Sequence, residues 1–285
     1  MNNYIIKEPC KDLRARGRDI LSGRWWPAIG TFIIAMMCMS LVPELISIIF
    51  GTEVQIALIA NVYMLLITGP FAFGMTKYML DLSRKKEVSS ATVFSGFEMF
   101  LKTLGLTLYM GILVILWSLL LVVPGIIAVY RYSMAFYVLA DNPDMSIRDC
   151  VNESKRLMDG NKGKLFLLQL SFIGWYILVA VLLVLLIILI SIPTILSDPN
   201  FAYYATYTNE IPTSMAIYLL VSVVVSTILA TPIAVYLQST ITGFYRLLVD
   251  NKASNETCDT QECHSATCNA NLEAEVSDDA NIEEK

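Results

Sequence analysis

The chain has 285 residues, of which 56% are hydrophobic and only 16% charged, with a mean hydropathy of +0.60. A soluble domain carries about a quarter charged residues, and the apolar residues here come in blocks longer than the roughly 18 that mark a membrane span, which excludes an ordinary water-soluble fold. The net charge of −5 hides an asymmetry: residues 251–285 carry a net −7 and the first 250 a net +2.

In chain order, residues 1–27 are polar and Arg-rich, with no apolar core followed by a small-residue cleavage site, so no cleavable signal peptide is expected and the first span acts as an uncleaved anchor. Within 11–22, Leu13, Gly17, Ile20 and Leu21 fall on one helical face, away from Lys11, Arg14 and Arg18. Trp25 and Trp26 before Pro27 have the character of an interfacial aromatic belt. The first span is read at 28–50, with Pro43 and Glu44 inside it, and the second at 54–80.

"TGPFAFG" puts Gly69, Pro70 and Gly74 inside the second span. One reading is a proline kink with glycines that allow close helix packing. The other is a broken helix whose freed backbone groups coordinate a solute. A second amphipathic stretch follows at 90–104, with Phe94, Phe97, Leu101 and Leu104 at helical spacing.

The apolar block 104–140 is too long for one crossing at helical rise. Pro124-Gly125 near its middle predicts a tight turn between a third span at 104–123 and a fourth at 124–140. The third amphipathic stretch, "SIRDCVNESKRLMDG", puts Ile147, Cys150, Val151, Ser154, Leu157 and Met158 on one face, with Ser146 as N-cap and Gly160 as stop. Spans at 164–192 and 214–248 complete the series, the last interrupted by Pro232, with a tyrosine-rich loop "FAYYATYTNE" between them. The amphipathic-helix-then-hairpin pattern thus occurs three times, which admits an ancient triplication. From 251 onward the chain has almost no large apolar residue and predicts a disordered acidic tail.

Charge fixes the orientation. With six spans, every Lys and Arg other than Arg131 falls on one side, and the opposite loops carry Glu53, Asp198 and Glu210 but no basic residue. By the positive-inside rule both termini are cytoplasmic. A single long third helix would instead send the basic residues of 148–164 outside. The three amphipathic segments then lie on the inner leaflet under the bundle, or dock a partner. The fold class is all-α: a six-span bundle with cytoplasmic amphipathic helices.

Groups for intramembrane chemistry are missing. No H-E-x-x-H or G-x-S-x-G occurs, and the only histidine, His264, lies in the tail. Cys258, Cys263, His264 and Cys268 do not match a standard zinc spacing. No enzyme activity, cofactor, metal or nucleic-acid partner is expected, and no G-x-x-x-x-G-K-[ST] marks an ATP-driven pump.

Two charges remain inside apolar blocks. Arg131 lies seven residues below Pro124, about 10 Å at helical rise, and Glu44 six residues below Phe50, about 9 Å. Equal depth predicts a buried Glu44–Arg131 ion pair helped by Tyr130, Tyr132 or Ser133; the alternative is that Arg131 snorkels to the outer headgroups.

The stretches "LSGRWWPAI", "GPFAFG", "VVPGIIAVYRYSMAFYVLADNP", "ESKRLMDGNKGKLFLLQLSFIGW" and "FYRLL" resemble the DUF975 family of bacterial integral membrane proteins of unknown function. The resemblance implies a bacterial cell-membrane location and no mechanism. The tyrosine-rich loop and the acidic tail depart from the family pattern. Two functional hypotheses follow. One is a solute- or lipid-handling transport protein. The other is a non-transporting accessory or scaffold protein that docks a partner through its amphipathic helices or its tail.

Overall fold

The computed structural model describes residues 5–50, 54–197 and 221–251, and among them every regular element is a helix. The chain opens with α1 (Cys10–Leu21), then a hairpin of α2 (Trp25–Phe50) and α3 (Val54–Ser83). A short 3-10 turn (Ser90–Phe94) and α4 (Ser95–Glu98) lead into the second hairpin, α5 (Phe100–Leu120) against α6 (Val122–Tyr132) and α7 (Ala135–Asp141). After α8 (Ile147–Leu157) comes the third hairpin, α9 (Lys162–Leu170) and α10 (Ile173–Ser197) followed by α11 (Val221–Asn251). Six helical stretches are long and apolar enough to cross a membrane. A helix bonds its backbone polar groups locally, which hydrocarbon demands. The all-α, six-span architecture expected from hydropathy is the one found. The "FAYYATYTNE" loop, the start of the last span and the acidic tail with its cysteines and His264 lie outside the described residues.

The second hairpin turns earlier than Pro124-Gly125 suggested. Leu121 alone joins α5 to α6, in an extended conformation. Pro124 falls in the first turn of α6, where a missing N–H breaks no bond. A Cβ on Gly125 would stand 2.1 Å from Ser118 Oγ. The pair therefore starts a helix and lets the two arms close; it does not make the turn.

Helices α2, α3 and α11 continue through Pro43, Pro70 and Pro232. The glycines around Pro70 are contact points. A Cβ on Gly74 would lie 1.8 Å from the Val93 carbonyl oxygen, one on Gly96 2.0 Å from that of Pro70, and one on Gly69 2.9 Å from that of Thr103. The close-packing reading of "TGPFAFG" fits this geometry, since what occupies the space beside these residues is protein: backbone at Gly74, and the Thr107 hydroxyl with the Thr103 backbone at Gly69.

Two interruptions carry no Pro or Gly at the break. In the fourth span the helix stops at Tyr132 and resumes at Ala135. Ser154 of α8 enters the gap: its hydroxyl donates to the Arg131 carbonyl (3.0 Å) and accepts from Met134 N–H (3.2 Å). One hydroxyl thereby satisfies both backbone groups that the break would strand. In the fifth span the chain tightens at Ser171, whose hydroxyl donates to the Leu168 carbonyl (2.7 Å).

The second helix of each hairpin faces inward. Phe73, Tyr78, Met79 and Leu80 of α3, Tyr137 and Leu139 of α7, and Phe244 and Tyr245 of α11 are all buried. Ile115 and Leu119 of α5 and Leu189 of α10 face outward, as lipid-facing positions do.

Each short segment after a hairpin seats on the inner helix of that hairpin. The 3-10 turn and α4 sit on α3 through Gly74 and Gly96, and α8 sits on α6 and α7 through Ser154. Helix α1 closes the ring on α11, where a Cβ on Gly17 would come within 2.4 Å of Thr240 Oγ1 and Ser239 Oγ donates to the Gly17 carbonyl. The three units therefore pack alike. The end of the bundle where these segments gather holds most of the basic residues and is called the basic end below.

Candidate functional site

The three inner helices meet along a polar seam. Gln238 of α11 donates through Nε2 to the Tyr137 hydroxyl of α7 (3.0 Å) and to Thr76 Oγ1 of α3 (3.4 Å). The Tyr137 hydroxyl also shares a hydrogen bond with Thr242 Oγ1 (3.2 Å), and its ring stacks on Tyr245 at 5.0 Å. Tyr245 donates to Asp141 Oδ2 (2.8 Å), and Arg84 donates to Asp141 Oδ1 (2.6 Å) at the basic end. Thr76, Tyr137, Thr242 and Tyr245 are buried. Their polar groups are bonded to one another, so the seam locks helices together. In lipid such interhelical bonds contribute about 1 kcal/mol each.

A groove of about 360 Å³ opens between α2, α3, α10 and α11, lined among others by Met36, Met39, Met64, Thr227 and Ala230. Its hydroxyls are turned back on their own helices: Ser40 donates to the Met36 carbonyl, Ser226 and Thr227 to that of Val223, and Thr231 to that of Thr227. The surface left over is thioether and methyl.

A second cavity, of about 410 Å³, lies at the basic end between α1, the end of α3 and the end of α11. Arg16, Arg24, Lys85 and Arg246 line it with Asp19 and Asp250. Helix α3 stops here in a Schellman turn, with Lys86 N–H on the Asp81 carbonyl and Lys85 N–H on that of Leu82. Lys85 holds the left-handed position at φ 57, the only such non-glycine among the described residues. Glycine is the usual occupant, and a side chain there costs about 1 kcal/mol. Arg246 donates to the Ser83 carbonyl (2.7 Å) and Arg24 to that of Lys86 (2.8 Å), one on each side of the turn.

The expected Glu44–Arg131 pair is not formed: neither side chain takes part in an ion pair or hydrogen bond among the described residues. Depth matching assumed that the first and fourth spans are neighbours. Because α6 ends at Tyr132, Arg131 falls in its last turn, beside α8. There the partial negative charge of a helix C-terminus favours a cation. Helix α6 packs on α5, α8 and α9, whereas α2 packs on α3, with Tyr63 donating to the Cys38 carbonyl (2.8 Å).

Sequence reasoning passed over Gln238, Tyr137, Thr76 and Asp141. Gln238 carried a usable signal, since it is the one carboxamide in the apolar run 221–245. Cys150 is fully buried, and burial raises its thiol pKa, with Asp149 adding to the shift and Lys102 opposing it.

Fold and sites together define a polytopic helical protein with six membrane-length helices and a layer of short amphipathic helices at one end. The family model described as "Protein of unknown function (DUF975)" matches residues 7–130 and 119–252. The chain belongs to this family. No curated protein and no solved structure matches it.

Proposed function

We propose that the protein is a multi-pass cell-membrane protein with both termini and the basic end in the cytoplasm, and that it handles lipid without being an enzyme. The observation that carries this reading is the lateral groove at Met36, Met39, Met64 and Ala230. It lies within membrane-length helices and its hydroxyls are internally bonded, so an acyl chain is the matching guest and a polar solute is not. The closed seam favours a second reading, an accessory or scaffold protein that docks a partner through its cytoplasmic helices.

Photocrosslinking separates the two. In vesicles containing a phosphatidylcholine with a diazirine on one acyl chain, adducts should concentrate on α11 near Ala230. Ala230→Trp should abolish them and slow transfer of a fluorescent phosphatidylcholine between leaflets. Adducts spread evenly over α5, α10 and α11, with transfer unchanged by Ala230→Trp, would leave the scaffold reading standing.

A further inference from the structure

We infer that the cavity at the basic end is a binding site for a phosphate-bearing anion, a phosphodiester lipid headgroup drawn from the adjoining leaflet. The inference does not depend on the lateral groove, which is a separate cavity.

Four basic side chains, Arg16, Arg24, Lys85 and Arg246, face two carboxylates, Asp19 and Asp250, in the lining. Arg16 also pairs with Glu8 at 2.9 Å. Part of this positive charge answers the C-terminus of α3, which ends here. The arginines do more than cap it. Each guanidinium has five N–H donors in a rigid fork. Arg24 and Arg246 each place one nitrogen on a carbonyl of the α3 turn, at Lys86 and Ser83. That contact fixes the fork and leaves further donors for an oxyanion, the geometry in which arginine recognises phosphate.

Lys85 supplies the independent observation. A Schellman turn is served best by glycine, yet this chain keeps a lysine in the left-handed position in the cavity wall. A strained residue in a cavity wall points to a use for its side chain. Depth identifies the source of the anion. Arg24 directly precedes Trp25 and Trp26, and Trp26 is 83% exposed. Tryptophan pairs of this kind sit at the headgroup level. Ile20, Leu82 and Leu247 add apolar surface suited to the first methylenes of the acyl chains, and Asp19 offers an acceptor to a headgroup hydroxyl.

The test uses the full chain in bilayer discs of equal parts phosphatidylglycerol and phosphatidylcholine, with retained lipid counted by native mass spectrometry. One phosphatidylglycerol should stay bound, preferred over phosphatidylcholine by about tenfold, as a charged-group contact of this kind supplies. Lys85→Gly removes the backbone strain, so it should unfold at the same or a higher temperature yet lose retention severalfold. A merely structural lysine would leave retention unmoved. The double variant Arg24→Gln with Arg246→Gln should abolish the preference. Displacement of the lipid by millimolar sodium phosphate would assign the same site to a soluble phosphate; resistance to it assigns the headgroup. Unchanged phosphatidylglycerol retention in both Lys85→Gly and the double arginine variant overturns the inference.

Discussion

Ser154 shows how much one hydroxyl can hold. It lies on the apolar face of α8, is fully buried, and bridges the two ends of the interrupted fourth span. Ser154→Ala strands the Met134 N–H and the Arg131 carbonyl together, and a buried orphan group costs about 1–3 kcal/mol. Thermal unfolding in detergent should show a clear drop for Ser154→Ala and a smaller one for Ser133→Ala, whose hydroxyl bonds only the Tyr130 carbonyl of its own helix. Equal effects would mean that the bridge is incidental. Cys150, one turn before Ser154, is chemically quiet for a related reason. Burial keeps its thiol protonated past the ordinary thiol range, with Asp149 acting the same way against Lys102, and the thiolate is the reactive form. Alkylation at mildly alkaline pH should therefore reach Cys150 only after denaturant is added; modification of the folded protein would contradict the burial.

Among the elements, the packing of small residues decides what a sequence can reveal. Hydrophobic interaction does not drive helix association in lipid, so close backbone approach takes its place. Gly74 and Gly96 hold the 3-10 turn and α4 against α3 at distances no Cβ tolerates. Gly74→Ala must shift the Val93 backbone, an overpacking cost of about 1–3 kcal/mol. Gly30→Ala meets nothing within 4 Å and should be neutral or slightly stabilising in its helix. Unfolding temperatures of the two variants should diverge accordingly, and parity would remove the packing role assigned to Gly74. The six spans were legible because hydropathy depends on composition alone. The amphipathic face of α8 was legible because its period is local. The interruption at Ser133–Met134 was not, since the group that stabilises it comes from Ser154, a later element. The Glu44–Arg131 argument failed for a like reason: equal depth is readable from the sequence, but which helices become neighbours is set by tertiary packing. The polar seam was hidden similarly: Thr76, Tyr137 and Gln238 are ordinary residues until three separate hairpins bring them together.

For the molecule as a whole, orientation is the property that gives every surface its meaning. Cys150 is a poor reporter of it, because a buried thiol stays silent on either side of the membrane. Asn152 is exposed on the same helix. In a background lacking the native cysteines, Asn152→Cys should ignore an impermeant maleimide in intact cells and react after permeabilisation. Labelling of intact cells would invert the topology and move the basic cavity to the outer leaflet.

The seating of α1 on α11 has a consequence in time as well as in space. A ribosome delivers α1 well before α11, so α1 has to wait for its seat. The 3-10 turn, α4 and α8 each meet their seats as soon as they emerge, because the hairpin they rest on has just been inserted. Two of the three joints can thus close during synthesis. The Gly17–Thr240 joint can close only once α11 has been made. Until then the apolar face of α1, with Leu13 and Leu21, lacks its partner on α11 and is open to the bilayer surface or to a chaperone.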